Sequence, residues 1–148
     1  MPDQSLIDGL VSTYRVLNLS VRIQAEARLK AKAADEGASV REVVSRLRDD
    51  ELRFSQALKA RITGIEIPDI FGEDLPAIGT ETADDSTNAI IAQFGTARES
   101  TLAMLRSMPD PDWDVMTEGQ KSIRNRTQEL LENDAKQLAR ISGLLGAR

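Results

Sequence analysis

Two residue types are missing altogether: the 148-residue chain has no cysteine and no histidine. The first absence removes disulfides, thiolate nucleophiles and Cys-ligated zinc. The second removes the usual general base near neutral pH and the commonest metal ligand. Carboxylate-only sites for calcium, magnesium or manganese stay open in principle, but the expectation is no transition metal and no cofactor. Aromatic residues are scarce: three phenylalanines, one tyrosine and one tryptophan. No stretch approaches the ~18 consecutive apolar residues of a membrane span, so no membrane partner is expected. The opening Met1-Pro2-Asp3-Gln4-Ser5 lacks a cationic segment followed by an apolar run. It does not read as a secretory signal, and the expected setting is cytoplasmic. A basic excess is missing too. With 24 acidic and 19 basic residues the net charge is -5, which gives a polyanion little long-range attraction, and no nucleic-acid partner is expected. The arginines between Arg46 and Arg53 alternate with Asp49, Asp50 and Glu51 and read as a solvated face, as do Arg124 and Arg126.

What is present favours helix. Hydrophobic residues make up 41% of the chain, and alanine and leucine, both good helix formers, recur throughout. The length suits one core and a single domain over residues 1–148. A first helix is expected from about Ser5 to Asp35, with Leu6, Leu10, Leu17 and Val21 on one stripe and a possible break near Asn18–Ser20, where short polar side chains compete for backbone groups. Gly37 is the expected terminator. A second helix begins at Ser39, which with Glu42 forms a capping-box pattern. Its stripe runs through Val40, Val43, Val44, Leu47, Phe54, Leu58 and Ile62. Glu51 interrupts it, so its stem is expected to approach the core with its carboxylate free to reach solvent.

From Gly64 to about Asp84, prolines and glycines break the helix while Ile65, Ile67, Ile70, Phe71, Leu75 and Ile78 supply anchors. About 20 residues can span roughly 60 Å when extended, against roughly 35 Å for the preceding helix, so this connection can cross a bundle from end to end. A third helix is expected from about Asp85 to Ser107, with Ile90, Ile91, Phe94, Leu102, Leu105 and Met108 inward. Pro109-Asp110-Pro111-Asp112 is a sharp stop, and Trp113 reads as an anchor for the returning chain or as a pocket wall. The last helix is expected from Ser122 to Leu145, with Ile123, Thr127, Leu130, Leu131, Leu138, Ile141 and Leu145 inward and Asp134 in a stripe position. An all-α, four-helix bundle is the economical solution.

At Ser39–Phe54 and Leu130–Leu144 the chain resembles the bacterial DinB-like (DinB/YfiT-like) four-helix family. In that family's second helix a capped Ser-x-x-Glu start precedes a metal-binding histidine and then a glutamate. The histidine position falls on Arg46, and the glutamate is Glu51. The His-x-x-x-His pair of the last helix falls on Asn133 and Gln137. The resemblance implies an up-down-down-up helix order with the long connection between helices 2 and 3, and frequent homodimers. It also implies divalent-metal chemistry in members that keep the histidines, some of which act on low-molecular-weight thiols. Here a guanidinium offers no useful lone pair, and amide oxygens replace imidazole poorly at nickel or zinc, so a degenerate metal site is expected.

Two arrangements of the substituted cluster stay open. In one, Arg46 sits in the polar interior where a metal would be, accepted by Glu51 and Asp134, with Asp50, Asn133 and Gln137 completing a network, while Arg48 stays exposed. In the other, these side chains point outward or make ordinary interhelical hydrogen bonds. Tyr14, Phe71, Phe94 and Trp113 are candidate pocket-lining or core residues. The leading functional expectation is a binding or structural module with an unknown small-molecule or protein partner. The alternatives are a metal-independent transferase or hydrolase-like enzyme and a regulatory or stress-associated interaction module.

Overall fold

The computed structural model describes residues 4–31, 38–62, 86–114 and 122–146, and all the regular structure among them is helical. The segments are α1 (Gln4–Ser20), α2 (Glu26–Lys30), α3 (Val40–Ile62), α4 (Thr87–Ser107), α5 (Asp110–Trp113) and α6 (Ile123–Gly146). The expected stop at Gly37 and the connection between 64 and 84, with Phe71, lie outside the described residues. No described helix is long and apolar enough to cross a membrane.

Helix boundaries follow side-chain chemistry. Ser39 Oγ accepts from the Glu42 amide at 3.1 Å, Ser86 Oγ from Ala89 N at 3.1 Å, and Ser122 Oγ from Asn125 N at 3.1 Å. Each satisfies a backbone donor that the first helical turn leaves orphaned. The first helix does not run unbroken to Asp35 but ends at Ser20, within the stretch where the sequence allowed a break. Asn18 Nδ2 donates to the Tyr14 carbonyl at 3.0 Å and Ser20 Oγ to the Val16 carbonyl at 2.7 Å. The Leu17 carbonyl then accepts from both Val21 and Arg22 amides, which widens the last turn and releases the chain.

The short α2 works as a clip. Glu26 Oε1 accepts from the Thr87 amide at 2.8 Å and from Thr87 Oγ1 at 3.1 Å, placing a carboxylate on the positive end of α4. Two residues on, Arg28 Nη2 donates to the Leu145 carbonyl at 2.7 Å, a cation on the negative end of α6. Arg41 of α3 pairs with the same Glu26 oxygen at 3.3 Å. One short helix thus ties three long ones together through terminal charge.

The apolar core is in two parts. One cluster joins Leu6, Ile7 and Leu10 of α1, Phe54, Ala57 and Leu58 of α3, Leu102 and Leu105 of α4, and Ile123 and Leu130 of α6, with Met108 and Trp113. The other joins Leu17 and Val21, Val40 to Leu47 of α3, Ile90, Ile91 and Phe94 of α4, and Ile141 and Leu144 of α6, with Leu29. On α6 the buried positions besides Arg126 are Ile123, Thr127, Leu130, Asp134, Gln137, Ile141 and Leu144. Their spacing alternates between four and three, the seam of closely packed helices. Leu144 takes the buried place expected for Leu145, and Leu131 and Leu138 are only partly buried. The Tyr14 ring of α1 packs directly on Gly95 of α4, where a Cβ would meet it at 2.5 Å.

Candidate functional site

Between the two apolar clusters lies a polar layer to which each long helix contributes one side chain: Thr13, Glu51, Arg98 and Asp134. All four are buried. Each replaces an apolar residue in its helix's own stripe: Thr13 between Leu10 and Leu17, Glu51 between Leu47 and Phe54, Arg98 between Phe94 and Leu102, and Asp134 between Leu130 and Ile141. Arg98 is the hub. Its Nη1 donates to Asp134 Oδ2 at 2.9 Å and to the Leu10 carbonyl at 2.8 Å. Its Nη2 donates to Glu51 Oε1 at 2.7 Å and to Asp134 Oδ1 at 3.0 Å. The Asp134 pair is bidentate, the strongest guanidinium–carboxylate geometry. Thr13 Oγ1 adds a bond to Asp134 Oδ2 at 2.7 Å, and the guanidinium lies 4.9 Å from the centre of the Phe94 ring. Burial works against the charged form of Arg98, but the attraction of Glu51 and Asp134 outweighs it and raises its pKa above the ordinary value.

A second polar group lies on the seam where α3 packs against α6. Neighbouring helix positions point about 100° apart, so Asp50 and Asn133 flank the interior pair Glu51 and Asp134. Asn133 Nδ2 donates to Asp50 Oδ2 at 3.1 Å, and Gln137 Nε2 reaches Asn133 Oδ1 at 3.5 Å. Arg46 Nε pairs with Asp50 Oδ1 at 3.2 Å, and Arg53 Nη1 lies 3.5 Å from the same oxygen. Burial raises the Asp50 pKa above 3.8, against the opposing pull of Arg46, the Asn133 hydrogen bond and Arg53.

The sequence-derived candidates therefore divide into two groups. Arg46, Asp50, Asn133 and Gln137 meet on the seam; Glu51 and Asp134 meet in the interior. Arg46 does not occupy the interior, since its side chain is 28% exposed. The guanidinium between Glu51 and Asp134 belongs instead to Arg98, which the sequence reading passed over. The signal was present: Arg98 interrupts the α4 stripe as Glu51 and Asp134 interrupt theirs, and a buried cation among two buried carboxylates is the expected complement. Glu51 does not extend to solvent, being 0% exposed. The arginines expected on solvated faces are largely covered. Arg48 donates to Asp49 Oδ1 and, at 2.8 Å, to Gln93 of α4, while Arg53 and Arg126 are buried. Phe94 and Trp113 are core, and Tyr14 is half-buried with its ring centre 6.4 Å from that of Phe94.

The residues at the implied ligand positions do not fit a metal ion. Arg46 is a cation paired with Asp50, and the Asn133 amide oxygen faces the Gln137 donor. Among the described residues no group of three or more Asp, Glu, His or Cys is placed to hold a metal. No protein-family model matches the chain, and no curated protein matches it in sequence.

Proposed function

We propose that the chain is a DinB-like four-helix bundle whose metal positions hold non-ligating residues, and that it serves as a binding or structural module without metal chemistry. The observation that carries this reading is Arg98, whose guanidinium supplies internally the positive charge that Glu51 and Asp134 require. An up-down-down-up order is supported by the two core clusters. The start of α1 shares its cluster with the ends of α3 and α4 and with the start of α6, whereas the end of α1 shares the other with the opposite ends of all three. A second reading, a metal-independent transferase or hydrolase-like enzyme in the expected cytoplasmic setting, draws on Asp50, since a buried carboxylate with a raised pKa suits proton transfer.

Elemental analysis after gentle purification tests the leading reading. The expected content is below about one-tenth equivalent of zinc or nickel, because imidazole and thiolate are absent. A stoichiometric, tightly retained transition metal would overturn it.

A homodimer belongs to the same proposal. Val16 and Leu19 of α1 and Ile23 in the turn after it are exposed, Leu19 and Ile23 at 68% and 76%. Large apolar side chains exposed close together along the chain favour a partner surface. Sedimentation equilibrium is expected to show a dimer that Leu19→Glu with Ile23→Glu converts to monomer. A wild-type monomer at the same concentrations would remove the dimer from the proposal.

A further inference from the structure

The five residues of α2 fall well short of the ~12–15 at which a helix holds itself together in water. Ala25, ahead of it, supplies no side-chain cap, and the backbone is extended on both sides, at Ala25 and at Ala31. Leu29 is its one buried residue, seated in the second apolar cluster. Its described ties to α4 and α6 come from two side chains. Glu26 accepts from the Thr87 amide and hydroxyl, and Arg28 donates to the Leu145 carbonyl. Glu26 also pairs with Arg41 of α3, against which α2 packs. The Glu26 side chain is 34% exposed, and Arg28 Nε is enclosed without a hydrogen-bond partner among the described residues. One apolar anchor with polar ties near the surface marks the low-stability end of a fold. Thr87 supplies a reporter for these ties. As the first residue of α4 its amide has no carbonyl partner within its own helix, and it donates instead to Glu26 at 2.8 Å.

We propose that α2 is a latch that releases α3, α4 and α6 in one step while the four long helices stay packed. Glu26, Arg28 and Leu29 lie within about 5 Å along the axis of one short helix. A displacement that lifts Leu29 from its seat therefore breaks the bonds of the other two as well. Extended Ala25 and Ala31 are the joints about which the helix moves. The 2.8 Å bond from Arg28 to Gln24 crosses the first joint and opens with it. Release uncovers Leu29 and its seat, and it strips the counter-charges from the start of α4 and the end of α6. Leu19 and Ile23, a few residues back along the chain, are already exposed. The latch thus sets how much apolar surface this part of the chain presents. This inference goes beyond the binding reading above and does not rest on it, since it holds equally for a protein that retains metal or stays monomeric.

The test is native-state amide hydrogen exchange on the full chain, read by NMR at one protein concentration, with wild type beside Arg28→Ala. Alanine is at least as good a helix former as arginine, and the substitution leaves Glu26 and Thr87 in place. In wild type, Thr87 and Leu29 are expected to share one protection factor, at least about tenfold below those of Phe94 and Leu130 in the packed helices. Arg28→Ala is expected to speed exchange about tenfold at Thr87 and Leu29 alike, the loss of one charge-assisted hydrogen bond. Phe94 and Leu130 keep their rates. So does Ile90, whose amide donates to the Ser86 carbonyl at 3.1 Å and reports fraying of α4 itself. Unequal protection of Thr87 and Leu29 in wild type, or an unchanged Thr87 in Arg28→Ala, would mean independent ties and overturn the latch. Acceleration of Ile90 together with Thr87, or protection at Thr87 and Leu29 as high as at Phe94, would overturn it too. If Arg28→Ala does not fold, wild-type exchange in low urea decides the matter. Thr87 and Leu29 are then expected to share one urea slope, shallower than that of Phe94 because less surface is exposed; unequal slopes, or slopes as steep as that of Phe94, would overturn the proposal.

Discussion

Arg98→Met is expected to destabilise the protein by about 3–5 kcal/mol, because it leaves Glu51 and Asp134 as buried carboxylates without a counter-charge. The substitution keeps an unbranched side chain of similar reach, so the loss reports charge and hydrogen bonding more than volume. It also removes the donor that holds the Leu10 carbonyl and the cation stacked on Phe94. Replacing the whole ionic set, Arg98→Met with Glu51→Met and Asp134→Leu, is expected to recover most of the loss and even to exceed wild type by about 1–4 kcal/mol, since desolvating three ions costs much of what their attraction returns. Denaturant unfolding of the single and triple variants measures both terms. A loss below about 1 kcal/mol for Arg98→Met would mean that the layer is hydrated and the interior reading is wrong. The layer's second consequence is register. A polar group from each long helix at one level penalises any axial slip, which would drive a charge into one of the apolar clusters. The triple variant is therefore expected to broaden or multiply its amide NMR signals even where its stability is high.

Trp113→Ala should cost about 3–5 kcal/mol, the range for truncating a fully buried large aromatic side chain. Trp113 is 0% exposed within the Leu6–Leu130 cluster, and the Arg124 guanidinium covers its ring at 5.5 Å. Its indole nitrogen has no hydrogen-bond partner among the described residues. Trp113→Phe, which keeps most of the apolar ring and discards an unmatched N–H, is accordingly expected to cost less than about 1.5 kcal/mol. Because Trp113 is the sole tryptophan, its fluorescence reports this cluster directly: emission should be blue-shifted in the folded state and move red on unfolding. Equal losses for the two substitutions, or a folded-state emission typical of water, would place Trp113 at a surface or pocket wall.

The sequence alone determined the helical class and most of the faces that pack. The capping serine at Ser39 and the stripes of the four long segments follow from local chemistry and a 3.6-residue period, and both are properties of neighbours along the chain. Glu51 and Asp134 could be picked out on the same basis, as charges seated in apolar stripes. Arg98 carries the same signal in the α4 stripe, but its meeting with them is not local: it lies 47 residues from one and 36 from the other, and only packing brings them within bonding distance. The early end of α1 was local, but the role of α2 was not: Glu26 and Arg28 gain meaning only when the starts and ends of other helices arrive beside them. The fate of the α3 arginines shows the limit most clearly. Periodicity tells which face of a helix is apolar, whereas the coverage of the remaining surface depends on its neighbours. With α4, α6 and α2 all packed against α3, the charges on its other faces are covered as well. Arg48 turns to Gln93, Arg53 is buried beside Asp50 with no hydrogen-bond acceptor for Nη1 or Nη2 among the described residues, and Arg46, for which an interior place was one of the two open arrangements, stays at the rim.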